Sequence, residues 1–487
     1  MKLGKTGKRL LKKAEPRTAT FIHALLHQTQ RVENIAQALT ERNKQLEQQV
    51  HELTRQIGQD SQNSHKPPSS DGLRKPVSLR PKGGRRGPPV GHKGVTLSPV
   101  DQPDAVVEQS LSTCSRCATS LKDVPAVRHI RRQVFDLPVP RVTVTEYRSE
   151  EKRCPHCRCL QHAAFPHDVS APAQYGPTLR AWMIYLHQQH LLPLNRIAQL
   201  LQDLTGTRPS EATILKQIES CATALQPLNS KIRQLLAKSK VVHADETGVR
   251  VEGKTRWLHV ISDSQWTYLF VHPKRGRQAF KEDGWLPLYN GIVVHDCLPA
   301  YFKDDFPFQH ALCGAHLLRE CQGIIDYDHH QWAAAMKALL LEAWEKAKQA
   351  RKSEKELDSP TITDLYDRYD DILRMGPKEW GTPKPPSPTS KSKRETKSKA
   401  ANLGERLKRY KPDILRFLHD PRVPFDNNQA ERDIRMIKIK QNISGSFRTS
   451  EGARYFACIR SLFSTWRKQN YSVLPSLSLS LQGNFHF

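Results

Sequence analysis

Three carboxylates, far apart in the chain, each fall where a regular element would hold them. Asp245 lies in Val241 to Val260, VVHADETGVRVEGKTRWLHV. Its β-branched residues in short runs bounded by glycine predict a strand carrying Asp245 at its end, a turn at Gly248, a second strand, a turn at Gly253 and a third strand. Asp296 ends a second strand, GIVVHDC, and Glu431 falls in the helix start DNNQAERDIRMIK. A carboxylate at a strand end has a fixed backbone and a side chain that still reaches solvent, which suits a hard divalent cation. Two strands and one helix could bring these three groups onto a pair of metal ions. Singly, each has a plainer reading: a solvated strand-end Asp, or a first-turn Glu favoured by the helix dipole.

The neighbours of these residues are weighed in the same way. Glu246 must point to the opposite face of the strand from Asp245 and is the poorer ligand. His243 and His295 read as packing groups or as groups that hold a ligand in place. Asp426, Asn427 or Asn428 can cap the helix of Glu431, whose inward stripe is Ala430, Ile434 and Ile437. Arg435 and Lys438, one and two turns on, fit DNA phosphates or plain solvation equally.

A second chemistry lies in Cys114-x-x-Cys117 and Cys154-x-x-Cys157. Each pair can turn two thiolates toward one ion, and two pairs complete a tetrahedral zinc site. The spacer RVTVTEYRSEEKR alternates like a strand, so a hairpin can fill it. Cys159, His162 and His167 are not needed as ligands. Arg128, Arg131, Arg132 and Arg141 make the module basic and suited to DNA. Cys313-x-x-His316 resembles half a zinc site, but no second half lies near it in sequence, so a structural or supporting role is expected there.

The chain's totals agree with a polyanionic partner. A formal charge of +27 points first to nucleic acid. No long basic amphipathic helix argues for a membrane surface, and no apolar run is long enough to span a bilayer. The apolar patch Phe21–Leu26 is a poor signal peptide, so the cytoplasm is the expected compartment. There the 10 cysteines are metal ligands or buried thiols rather than disulfides.

The positioning elements then fall in order. Residues 1–20 read as a basic disordered tail. Residues 21–57 carry heptads, with Leu25, Val32, Leu39, Leu46 and Leu53 in one series and Ile22, Thr29, Ala36, Asn43, Val50 and Ile57 in the other. This is a leucine-zipper-like coiled coil, and Asn43 at an a position favours a parallel dimer; a homodimer or higher oligomer through this segment is expected. Residues 58–99 are a Pro/Gly/basic linker and 100–165 the zinc-binding, DNA-binding module. Residues 174–238 are helical. Leu194 to Leu204, Gly206 and a helix capped by Ser210 form either a helix-turn-helix or two bracing helices. Residues 240–325 and 426–470 form an α/β core, with a helix near Gln278 to Leu288 inside the first part. Residues 326–425 are a helical insertion, with helices from Trp332 to Ala350 and Thr363 to Leu373 and a basic mobile loop, PKPPSPTSKSKRETKSK. Residues 471–487 are unassigned.

Several of these stretches resemble the IS66 family of insertion-sequence transposases, large DDE-type subunit: KPPSSDG, the glycine-rich linker ending GHKG, the paired CxxC, HADETGVRVEGKTRWLHV, VVHDCLPAY, CGAHLLRE and DNNQAERDIR. The resemblance covers about residues 60 to 470. It departs at MIKIKQNISGSFRT, after Glu431, and in the Ser/Leu-rich tail from Leu474. It implies an α/β RNase H-like catalytic domain with a helical insertion, a zinc-ribbon-like module, and a metal-binding triad at Asp245, Asp296 and Glu431. It also implies two Mg2+ (or Mn2+) ions per active site, one structural Zn2+, and DNA partners, namely terminal inverted repeats and target DNA. Other proteins of the same element are candidate partners. Two other readings stand beside it: an RNase H-like nuclease that cuts without joining, and a zipper-dimerised, zinc-containing DNA-binding regulator.

Overall fold

The computed structural model describes residues 15–60, 63–64, 96–137, 140–303, 306–381, 397–485 and 487. Most of the expected basic tail, most of the linker and residues 383–396 of the expected basic loop lie outside these residues. The chain divides into two compact units. One comprises residues 1–76, 177–191 and 217–487; the other comprises 77–176 and 192–216. No helix among the described residues is long and apolar enough to cross a membrane.

The first helix, α1, spans Pro16–Gly58, with Pro16 at its first turn, where a missing N–H costs nothing. Its heptad residues are open to solvent: Leu25 is 53% exposed, Leu39 59% and Leu53 56%. Its last turns are tied down within its unit. Arg55 is buried and pairs with Asp328 at 3.2 Å, and His51 meets the same carboxylate.

In the smaller unit, β1 (Glu151–Arg153) and β2 (Leu160–His162) form a short antiparallel pair. The strand expected along the whole spacer is therefore only three residues long and flanks the second Cys pair. Residues 142–149, although they alternate, have no partner strand among the described residues.

Four helices follow: α2 (Pro177–Gln188), α3 (Leu194–Thr205), α4 (Glu211–Ala224) and α5 (Gln226–Leu236). Gly206 ends α3 in the left-handed region, and the Ser210 hydroxyl accepts the Thr213 amide at the start of α4, as its sequence predicts.

The sheet of the larger unit comprises β3 (Val241–Val251), β4 (Lys254–Ser262), β5 (Thr267–His272), β6 (Ile292–His295) and β7 (Gln309–Leu312). Its order is β5-β4-β3-β6-β7; β3, β4 and β5 are antiparallel, and β6 and β7 run parallel to β3. β3 is unbroken from Val241 to Val251 and does not turn at Gly248. Gly248 pairs with Trp257, whose ring lies 3.9 Å from where a Cβ would stand. The single turn is Glu252–Gly253, with both φ positive (52° and 71°), which matches the right-handed twist of the two strands. Asp245 is thus mid-strand, opposite Val260, rather than at a strand end.

Between β5 and β6, the helix expected to reach Leu288 is α6 (Arg277–Asp283) alone. Gly284 stops it at φ 75°, and Pro287 permits only a 3-10 turn at Leu286–Leu288. After β7 come α7 (Gly314–Asp328), α8 (Gln331–Lys352), α9 (Ser359–Glu379), α10 (Lys399–Arg409) and the short α11 (Lys411–Ile414) and α12 (Arg416–His419). The insertion does not have a core of its own. Trp332, Met336, Leu340, Tyr369, Leu403 and Phe425 pack with Ile292, Val294, Ala311 and Leu312 of the sheet in one cluster.

The chain returns as α13 (Asn428–Ser444) and α14 (Ser450–Lys468). Ala430, Ile434 and Ile437, the predicted stripe, bury with Phe456 and Ala457 against Val249, Val251, Leu258 and Val260. Asp245 alternates onto the same face of β3 as Val249 and Val251. The tail is structured: α15 (Val473–Leu481) buries Leu477, and Phe485 meets the Trp466 ring.

Candidate active site

Asp245 sits on the central strand, Asp296 immediately follows β6 beside it, and Glu431 lies in the first turn of α13. Extending the parallel register, in which His243 pairs with Val294, sets residue 296 level with residue 245.

What fixes α13 is Asn427. It stands at the N-cap position but makes no side-chain cap bond. Its amide group instead donates to the Ala244 carbonyl at 2.9 Å and its Oδ1 lies 2.8 Å from His243 Nδ1, both on β3. Its backbone N–H points to Cys313 Sγ at 3.2 Å. The cap bond comes from Asp426, which accepts the Asn428 amide. A buried asparagine therefore joins the helix of Glu431 to the strand of Asp245.

The electrostatics are those of anions held with too little compensation. Burial, then the charges of Glu246 and Asp296 and, least, of Glu431, push the Asp245 carboxyl well above the usual range; the Glu246 amide, 2.8 Å from Oδ1, offsets this in part. Burial and Asp426 raise Glu431, and Arg319 offsets them. Glu246 is pushed up to about 7, by burial first and by Asp296 second. As its position predicts, it faces away from Asp245. It accepts Arg275 at 2.9 Å and the Tyr301 hydroxyl at 3.1 Å. Arg275 also reaches toward Asp296, at 3.8 Å, so one guanidinium spans two carboxylates.

The histidines pack. His295 is fully buried, stacks on Tyr301 at 4.2 Å between ring centroids, and is held down to about 3 by burial. Lys438 is half-buried, donates to the Gly248 carbonyl at 3.3 Å and feels the Asp245 charge; Arg435 is exposed. Sequence reasoning missed Arg275, Tyr301 and Arg319, and took Asn427 only for a cap. For Asn427 the signal was its place in an Asp-Asn-Asn run, where three residues compete for one cap.

In the smaller unit each Cys pair closes in the same way. Ala118 N–H bonds to Cys114 O and Arg158 N–H to Cys154 O, with φ of 55° at Ala118 and 57° at Arg158. Thr113 bridges to Ser120 and Arg153 pairs with Leu160, so the two turns match residue for residue. The Cys117 and Cys157 thiols are pulled below their ordinary range by hydrogen bonds, chiefly from Thr119 and Cys159. The four thiols do not form a group in which three ligand atoms lie within 4.8 Å of one another; among the described residues that holds for Cys313, His316 and Glu431. Arg128, Arg131, Arg132 and Arg141 are exposed.

The family model described as Transposase IS66 family matches residues 172–455, more than half of the 487 residues. A family of unknown function, DUF6444, matches residues 13–95. The chain is 22% identical over 373 residues to the uncharacterized protein y4hP of Sinorhizobium fredii, an alignment covering 69% of this chain and 64% of that protein. The chain thus spans less than two thirds of that relative's length.

Proposed function

This chain belongs to the IS66 transposase family, and from that premise we propose that it is a DNA transposase whose cleavage and joining chemistry is carried by Asp245, Asp296 and Glu431. The observation that carries the reading is the coupling of these groups. A central-strand Asp is raised by burial first and by its neighbours' charge second, while Asn427 holds the third carboxylate's helix against the same strand. The mixed sheet and flanking helices are compatible with an RNase H-like domain.

Buried, mutually repelling oxygens are a donor set suited to hard cations such as Mg2+ or Mn2+. Asp245 would be shared by two ions, with Asp296 and Glu431 each holding one. Such a pair, when bound, activates the attacking oxygen and stabilises the leaving 3′ oxygen in an in-line displacement at phosphorus. Glu246, Arg275 and Tyr301 form a bonded group on the face of β3 opposite Asp245. Arg275 lies 3.8 Å from Asp296, whose Oδ1 accepts the Leu298 amide. Water opens the strand at the element end and frees a 3′-OH, and that 3′-OH attacks target DNA. The exposed arginines 128, 131 and 132, together with Arg435 and Lys438, are the proposed DNA contacts.

One structural Zn2+ is proposed at Cys114, Cys117, Cys154 and Cys157. The matching closure of the two turns supports it, and the ion would draw the pairs together. The solvent-exposed stripe of α1 supports a second copy of this chain as its partner.

The test is strand transfer in vitro. Labelled element-end DNA, Mg2+ or Mn2+ and a target plasmid are incubated with wild type and with Asp245→Asn, Asp296→Asn and Glu431→Gln. Joined product from wild type alone is expected. Nicking without joining would favour a nuclease, and binding without chemistry in every sample would favour a regulator.

A further inference from the structure

Cys313 and His316 open α7, and Glu431 opens α13. Their sulfur, nitrogen and oxygen ligand atoms all lie within 4.8 Å of one another. The first two are three residues apart, so the start of the helix turns them to one side. The third comes from an element more than a hundred residues later, locked in place by Asn427.

The chemistry of the three donors is mixed. Thiolate and imidazole are poor ligands for Mg2+ and good ones for zinc-class ions, and thiolate, imidazole and carboxylate on one ion leave a fourth position open to water or substrate. We propose that Cys313, His316 and Glu431 form a binding site for a borderline divalent cation of the Zn2+ class, separate from the paired CxxC turns and sharing Glu431 with the catalytic carboxylates.

Three further features support the site. His316 Nε2 and Glu431 Oε1 are 4.0 Å apart. Ligands on a tetrahedral zinc with bonds of about 2.0–2.3 Å lie about 3.3–3.8 Å from one another, so little movement is needed. Burial pushes the Cys313 thiol up to about 12, but both the Asn427 and the His316 backbone amides point to the sulfur and oppose this. Amide bonds to a coordinating sulfur hold it in orientation and support its charge. Finally, the two oxygens of Glu431 face different partners. Oε2 faces Arg319 at 4.0 Å, while Oε1 faces His316. One oxygen is therefore directed to the thiol–imidazole corner.

A zinc-class ion here would compete for a carboxylate that the proposed function gives to Mg2+ or Mn2+. The site itself stands on the three donors and not on strand transfer, so it is tested without DNA. The full chain carrying Cys114→Ser, Cys117→Ser, Cys154→Ser and Cys157→Ser is reduced, stripped with EDTA and titrated with Co2+. One equivalent is expected to bind with a near-ultraviolet thiolate-to-cobalt band and the visible bands of a four-coordinate ion, all displaced by Zn2+. Cys313→Ser removes the thiolate band. His316→Gln, at a partly exposed position, keeps it but weakens apparent affinity at least tenfold. No thiolate band, or a spectrum and affinity unchanged by His316→Gln, overturns the proposal. If the fourfold variant does not fold, zinc per chain is counted by elemental analysis with the CxxC pairs intact. A fall by one ion in His316→Gln supports the site, and an unchanged count overturns it.

Discussion

His243 Nδ1 and Asn427 Oδ1 lie 2.8 Å apart, and this contact binds the strand of Asp245 to the helix of Glu431 across 184 residues of sequence. The same asparagine donates to Ala244 O, so removing it leaves a buried carbonyl and a half-buried imidazole nitrogen without this partner. An unsatisfied buried polar group costs about 1–3 kcal/mol, and Asn427→Ala should therefore destabilise the fold by about 2–4 kcal/mol. A displacement of about 1 Å in a reacting group costs about a hundredfold in rate. Magnesium-dependent plasmid nicking should fall at least that far in the folded variant, below its melting midpoint. A destabilised variant that nicks at the wild-type rate would mean that Asn427 only stiffens the fold.

Asp245→Asn should abolish both cleavage and joining while leaving binding to element-end DNA within about twofold, because neutralising a group that holds metal removes the chemistry and not the basic surface. It should also raise the melting temperature in EDTA. Burial and three neighbouring acids disfavour the Asp245 charge, so the amide relieves repulsion worth about 0.5–2 kcal/mol. Retained cleavage would remove Asp245 from the assignment. A lower melting point would mean that Asp245 is structurally satisfied as it stands.

The α1 stripe carries a separate expectation. Leu39 and Leu46, 59% and 43% exposed, are inner positions of a dimer if the heptads pair. Sedimentation of the full chain should give a dimer or larger. Leu39→Lys with Leu46→Lys should give a monomer that keeps its melting midpoint, because the stripe contributes nothing to the fold of a single copy. A wild-type monomer at micromolar concentration would end this reading.

How much of this could be read from residues alone depends on whether the deciding partner is near in sequence. The α13 stripe, the cap at Ser210 and the opposite facing of Glu246 follow from local periods and were legible. Gly248 misled because glycine marks turns; here it is a strand residue beside the Trp257 ring, and only the β4 register reveals that. The alternation of residues 142–150 promised a strand, but a strand needs a neighbour, and among the described residues one is found only at Leu160–His162. Cys313 and His316 were seen as half of a site. The third ligand atom beside them belongs to Glu431, which the sequence places with Asp245 and Asp296, and the approach of α13 to α7 has no signature in sequence.

His259 provides a test of the face opposite Asp245. It stacks on Phe270 at 4.7 Å, meets Phe280 edge-on, and pairs in register with Glu246. Burial holds it down to about 4, with His272 and Arg275 adding to the effect and the Lys274 carbonyl opposing it. In the unfolded chain the ring titrates near its ordinary value of about 6.5, so between these values the unfolded state binds more protons, and stability falls as pH drops from about 6.5 to about 4. The loss approaches about 3 kcal/mol at the acid end. Glu246 slopes the other way, gaining a proton in the folded state first as pH falls below about 7, which makes the total profile flatter than either part. The comparison is therefore between wild type and His259→Phe, both of which keep Glu246. The variant loses the Nε2 bond to Lys274 O at every pH, so it should melt lower at pH 8. Its deficit should shrink or reverse by pH 4.5. A deficit that stays constant from pH 8 to 4.5 would mean that His259 is not held neutral by its burial.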